Sequence, residues 1–189
     1  MIGKVYAIPP QPVDTENTRW FPAGVVTIGV EYRDVDPAGL IDTYKDNPDH
    51  LAELTERSPQ GGFADEGVSL HVAETDGGHE YLRFDAFDDE PHYHYIHRSQ
   101  QIVNNVIDFD VVAQGDMLTW ALERIRTRLP EMLTEAGGGH LVDGLDPTVV
   151  HAVVDEVEPL ARRARQAFRD RQAQSSGDQS SGARPEGGT

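Results

Sequence analysis

Between Val68 and Phe87 apolar and polar residues alternate, and the alternation fixes a register. When Asp76-Gly77-Gly78 forms a three-residue hairpin loop, Thr75 faces His79, Val72 faces Leu82, Leu70 faces Phe84 and Val68 faces Ala86, so the apolar partners share one face. A two-residue loop would mix the faces. Ser69, His71, Arg83 and Asp85 then share the opposite face. The same period of two marks a strand over Val25 to Tyr32, with Val26, Ile28, Val30 and Tyr32 together. A further strand is expected in residues 101–111, at least from Asn105, with Asp108 and Asp110 on one face.

Helical spacing appears elsewhere. Asp36-Pro37 and Asn47-Pro48 each read as an N-cap followed by proline at the first helical position, which predicts two short helices ended by the run Pro59 to Gly62. Leu40, Ile41, Tyr44, Leu51 and Leu54 form their apolar stripe. Leu118, Ala121, Leu122, Ile125, Leu129, Met132 and Leu133 define a longer helix that stops at Gly137-Gly138-Gly139. Asp146-Pro147 opens another, with Val149, Val150, Val153, Val154, Val157, Leu160, Ala161, Ala164 and Phe168 as its stripe. Pro130 and Pro159 are expected to kink these two helices.

Strand-like runs thus dominate residues 25–111, and helical periodicity rules residues 116–170. This segregation predicts an α+β fold, an antiparallel sheet of four or five strands packed on one face by the C-terminal helices. Residues 1–24 carry Pro9, Pro10, Pro12 and Pro22 and predict an extended arm, tacked down by Trp20 and Phe21; residues 25–172 form a single domain. Residues 173–189 are rich in Gly, Ser and Gln and are expected to be a disordered tail.

Composition narrows the chemistry. The chain has no cysteine, so disulfides, thiolate catalysis and Cys-ligated metals are excluded. The formal net charge is −17; residues 1–158 hold 10 Lys+Arg against 30 Asp+Glu, and residues 159–189 hold 6 against 3. So acidic a body repels phosphate backbones and anionic lipid, which argues against nucleic acid and membrane surfaces as partners. The N-terminal residues show no apolar core of a signal peptide, and no run of about 18 apolar residues occurs, so a cytoplasmic location is expected.

The densest chemistry lies in Phe84 to His97, with three histidines, four acidic residues and four aromatics in fourteen positions. His92 and His94 point to one strand face and Tyr93, Tyr95 and His97 to the other. If two or four residues around Asp88-Asp89-Glu90 form the loop, His92 lies opposite Asp85 and His94 opposite Arg83, and the tyrosines pack on Phe84 and Leu82. A three-residue loop would bury both histidines among apolar residues without partners, which is costly. The first register brings His71, Asp85, His92 and His94 onto one polar face as a candidate metal set for zinc, iron or manganese. Arg83, Asp85, His92 and His94 are the candidate ligand-binding set: Arg83 would help a small anionic molecule bind near a metal or general base, and would repel a metal unless Asp85 or Glu80 pairs with it. His97 borders the core or an interface, and His50, His140 and His151 are expected at the surface.

The His92-x-His94 spacing resembles the metal strand of cupin barrels. The resemblance covers those two residues only, since no glutamate follows at the expected distance and the motif's glycines are missing; no function is carried over. The chain as a whole resembles uncharacterised bacterial families known as domains of unknown function, which implies nothing about activity. Phosphate loops, dinucleotide fingerprints, nucleophile elbows and H-E-x-x-H helices are absent. Three readings therefore stand: a metal- or ligand-binding domain, a non-catalytic assembly protein pairing as a homo-oligomer through its aromatic strand or helical stripes, and a metal-free acid–base enzyme using His92 or His94 with Asp85. Against all three stands the plain reading, that the histidines and tyrosines pave a half-exposed sheet.

Overall fold

A computed structural model describes residues 3–57, 65–75, 78–98 and 103–180, with side chains described up to Arg171. Seven strands form one wholly antiparallel sheet: β1 (Lys4–Tyr6), β2 (Thr18–Ala23), β3 (Val26–Val35), β4 (Asp65–Glu74), β5 (Glu80–Phe87), β6 (His92–His97) and β7 (Val103–Asp108). Their spatial order is β1-β7-β6-β5-β4-β3-β2. The helices are α1 (Pro37–Tyr44), α2 (Pro48–Arg57), α3 (Val111–Gln114), α4 (Met117–Glu135) and α5 (Pro147–Ser180), with a 3-10 helix over Gly139–Gly144.

The fold is α+β as expected, but the sheet has seven strands where four or five were predicted. Both additional strands come from the proline-rich N-terminal region, and both are edges. Pro22 lacks an N–H, and an edge strand is where a sheet tolerates that loss. The N-terminal arm is therefore part of the sheet. The central hairpin has the expected register, with Val68 opposite Ala86, Leu70 opposite Phe84 and Val72 opposite Leu82. A bulge between Val72 and Ala73 shifts the last pair to Ala73 and Glu80. The expected helix break at residues 59–62 and the loop residues Asp76 and Gly77 lie outside the described residues.

The apolar face of the sheet carries Val26, Ile28, Val68, Leu70, Val72, Leu82 and Phe84, packed against α4 and α5. The predicted stripe of α4, from Leu118 to Leu133, is buried throughout. Its end is a Schellman turn: the Gly138 N–H donates to Leu133 O, the Gly137 N–H donates to Thr134 O, and Gly137 sits at φ +83°. Pro130 and Pro159 lie inside continuous helices. Helix α5 is carried to Ser180, past Ala173 where composition placed the end of ordered chain; residues 181–189 lie outside the described residues. Among the described residues no helix is long and apolar enough to cross a membrane.

The second sheet face is not open. Six inter-strand gaps of about 4.8 Å separate β1 from β2, so residues 7–17 must cover about 29 Å, which they do without regular structure and with a turn at 15–17. This strap crosses the polar face and is held through its carbonyls, which suits a segment whose prolines have no N–H to offer. The Tyr44 hydroxyl donates to Pro9 O (2.8 Å), Arg83 Nη1 to Gln11 O (2.8 Å) and Arg33 Nη2 to Pro12 O (2.7 Å). Helix α1, capped by the Asp36 carboxylate on Gly39 N, packs Leu40 and Tyr44 with Leu54, Val35 and Phe87 into a second, smaller core beside the strap. Ile41, expected in that stripe, is 52 % exposed.

Candidate metal centre

The polar face expected to be half-exposed is buried: Glu31, Arg33, Ser69, His71, Arg83, Asp85 and His94 are all almost wholly shielded from solvent. Isolated charges there would be prohibitively costly, so each must be paired. Two linked groups achieve this.

The first is a charge network under the strap. Arg83 donates from Nε and Nη2 to the two oxygens of Glu80 (2.8 and 2.6 Å), a bidentate pair. His71 lies between Glu80 Oε1 (2.6 Å from Nδ1) and Glu31 Oε2 (3.0 Å from Nε2, off the line of a hydrogen bond). Arg33 Nε approaches Glu31 Oε1 at 3.1 Å. Burial works against every charge here. At Glu80 the Arg83 and His71 charges outweigh it and hold the carboxyl below its ordinary range; at His71 the Glu80 charge and the two carboxylate contacts outweigh it and raise the imidazole.

The second is built on β5 and β6. The four-residue connection 88–91 gives the register in which Asp85 opposes His92 and Arg83 opposes His94. Asp85 Oδ2 lies 3.0 Å from His94 Nε2 and 3.3 Å from His92 Nε2. Its other oxygen accepts from the Ser69 hydroxyl, the residue directly opposite on β4. His92 Nδ1 is 2.7 Å from Glu90 O, and His94 Nδ1 is 2.7 Å from Asn104 Oδ1 on β7. Burial opposes the Asp85 charge, but the hydrogen bonds and charges of His92 and His94 hold the carboxyl well below its usual range. Burial likewise lowers His94, and there it prevails; at His92 the Asp85 hydrogen bond and charge outweigh it and the imidazole is raised.

The ring tautomers follow from these partners. A backbone carbonyl only accepts, so His92 Nδ1 carries the proton and donates to Glu90 O. Its Nε2 then faces Asp85 Oδ2 either as an imidazolium N–H or as a lone pair. Two lone pairs at 3.3 Å repel unless a cation lies between them. Asn104, presenting Oδ1 to His94 Nδ1, sets the same choice for His94, although an amide can turn over to offer its NH2.

The ligand atoms of Asp85, His92 and His94 all lie within 4.8 Å of one another. An ion about 2.1 Å from each needs ligand–ligand separations of about 3.0 Å at right angles and about 3.4 Å at tetrahedral angles. The two Asp85 distances, 3.0 and 3.3 Å, fall in that interval. The group opens onto a cavity of 650 Å³ between the sheet, the strap and α1.

His71, expected as a fourth ligand, is not in this group. The register explains why: it opposes Arg83, two pairs along the ladder from Asp85, and the place across from Asp85 on β4 belongs to Ser69. Arg83 lines the same cavity, with three of its N–H groups donated to Glu80 and Gln11. Asp108 opposes His92 on β7 and pairs with Lys4, while Asp110 caps α3. Ser69 was placed on this face by alternation but given no role, and two supporting residues escaped sequence reasoning: Asn104 and Asp65. Asp65 accepts from the Asp89 and Glu90 N–H groups (3.3 and 2.7 Å) and so fixes the loop whose carbonyl orients His92. Neither Asn104 nor Asp65 carries a motif signal.

These features define an α+β protein with two histidines and one carboxylate converging on a shielded sheet face. The chain belongs to the family described as Domain of unknown function (DUF7700), which matches residues 20–161 and includes Asp85, His92 and His94. No curated protein and no solved structure matches it.

Proposed function

We propose that the protein is a metal-binding domain in which Asp85, His92 and His94 hold one divalent transition-metal ion, zinc, iron or manganese, with coordination positions left open toward the cavity. The observation that carries this reading is that both Nε2 atoms face a single carboxylate oxygen while both Nδ1 atoms meet oxygens behind them. The Glu90 carbonyl fixes the tautomer a metal requires at His92, and the Asn104 amide oxygen supports the same one at His94; such acceptors raise ligand basicity. Two imidazoles and one carboxylate with vacant positions suit metal-assisted hydrolysis or oxygen chemistry at iron. Arg83 does not oppose the ion, because Glu80 balances its charge in a bidentate pair.

The test is a titration of untagged, chelator-stripped protein with Zn(II), Fe(II) and Mn(II). The reading expects one equivalent of at least one ion to bind wild type and none to bind Asp85→Asn. Failure of all three ions to bind wild type would contradict it. In that event the buried Asp85–His92 pair, with His92 held as imidazolium, would favour the metal-free acid–base reading.

A further inference from the structure

The cavity beside the three ligands has walls of two kinds, and the distribution of charge along them restricts what it can hold. One wall is apolar: Ile8 from the strap, Leu40 and Tyr44 from α1, Leu54 from α2, and Val35 and Phe87 from the sheet. The volume of 650 Å³ suits a small organic molecule. Three permanent cations also line it, and each is already engaged. Lys4 Nζ is 2.9 Å from Asp108, Arg33 pairs with Glu31 and donates to Pro12 O, and Arg83 pairs with Glu80 and donates to Gln11 O. Asp89 and Glu90 add negative charge to the lining. A ligand anion placed along this cavity would therefore meet cations whose charge is spent and carboxylates that repel it. Once a divalent ion is held by Asp85, the positive charge open to a ligand head group is the ion itself, since Lys4, Arg33 and Arg83 each face a carboxylate.

Resting on the metal reading above, we infer that the cavity takes a small, largely apolar organic ligand with one coordinating head group. The head occupies an open position on the ion, and the uncharged body lies against Leu40, Tyr44, Leu54 and Phe87. This class replaces the anionic molecule that Arg83 suggested in the sequence, because Arg83 serves the strap and Glu80 instead. A charged group at the far end of the ligand would be desolvated without a partner, which is the basis of discrimination.

The experiment uses the full chain loaded with Co(II), whose visible spectrum reports both loading and a new ligand. Three probes share one neutral donor: imidazole, 4-phenylimidazole, and 4-(4-carboxyphenyl)imidazole. The inference expects 4-phenylimidazole to bind ten-fold or more tightly than imidazole, and the carboxyphenyl probe to lose most of that gain. Leu54→Asp should remove the phenyl preference. Equal affinity for imidazole and 4-phenylimidazole, or tightest binding by the carboxylate probe, would overturn the inference while leaving the metal reading intact. Failure to bind Co(II) would overturn this inference, and failure of Zn(II), Fe(II) and Mn(II) as well would overturn the metal reading with it.

Discussion

Arg83 Nη1 donates to the Gln11 carbonyl at 2.8 Å, joining a central strand to a strap 72 residues earlier in the chain. The same guanidinium holds both oxygens of Glu80, so one side chain closes the polar face and neutralises the carboxylate beneath it. Replacing Arg83 with Met should leave Glu80 buried without its main counter-charge. A loss of about 3–5 kcal/mol in denaturant unfolding is expected. Lysine should rescue little, since a point charge cannot reproduce the bidentate pair and the strap bond together. A loss below about 1 kcal/mol would mean that the network does not hold the face shut.

Stability of the metal-free protein should depend on pH in an unusual direction. His71 and His92 are raised in the folded state by their carboxylate partners, against the pull of burial. Groups of this kind stabilise the fold fully below the unfolded imidazole value, about 6.5, and lose that contribution as pH rises through their folded values. His94 is lowered, so its contribution has the opposite sign: it is present above about 6.5 and is lost as pH falls. Asp85 is held low and keeps its contribution until pH falls well below the usual carboxylate range. Melting of metal-stripped protein should therefore move to lower temperature as pH rises above about 6.5, with a slope of at most about 2.7 kcal/mol per pH unit for two protons. His71→Gln should flatten the profile. A melting temperature that climbs from pH 6.5 to 9 would contradict the assignment.

Asp65 should act on the metal without touching it. Its two oxygens accept from Asp89 and Glu90 N–H, which positions the Glu90 carbonyl behind His92. Asparagine presents an NH2 to one of those donors and frees the loop. Metal affinity of Asp65→Asn is expected to fall by about ten- to a hundred-fold, the usual range for partners behind a ligand. Unchanged affinity by chelator competition would show that the loop does not orient the ring.

The two histidine ligands should differ in their structural cost. His94 is buried between Asp85 and Asn104, whereas His92 sits at the half-buried edge of the cavity, against the Phe87 ring. Both His92→Ala and His94→Ala should abolish metal binding. His94→Ala should also cost about 1–3 kcal/mol, because it strands the Asn104 amide and removes a partner of Asp85. Equal unfolding by both variants, with binding retained in any folded fraction, would assign the cluster a structural role.

Much of the sheet was legible because alternation has a period of two. Val68 with Ala86, Leu70 with Phe84 and Asp85 with His92 follow from keeping apolar partners on one face. The same argument failed at its edges. Alternation gives a face but not a neighbour, so His71 was grouped with Asp85 although the register sets Ser69 there and sends His71 to Glu31 and Glu80. Prolines concealed β1, β2 and the strap, and with them the cover over the polar face. Polar residues on a strand read as solvent-facing unless the sequence reveals what lies above them. Here the cover is made by backbone carbonyls, which no side-chain pattern announces.

Anomalous diffraction at the zinc absorption edge, from crystals of the Zn(II)-loaded protein, tests the central claim most directly. The account predicts a single peak about 2.0–2.2 Å from His92 Nε2, His94 Nε2 and Asp85 Oδ2, facing the cavity under the strap. A peak elsewhere, or none between these three atoms with zinc in excess, would contradict it.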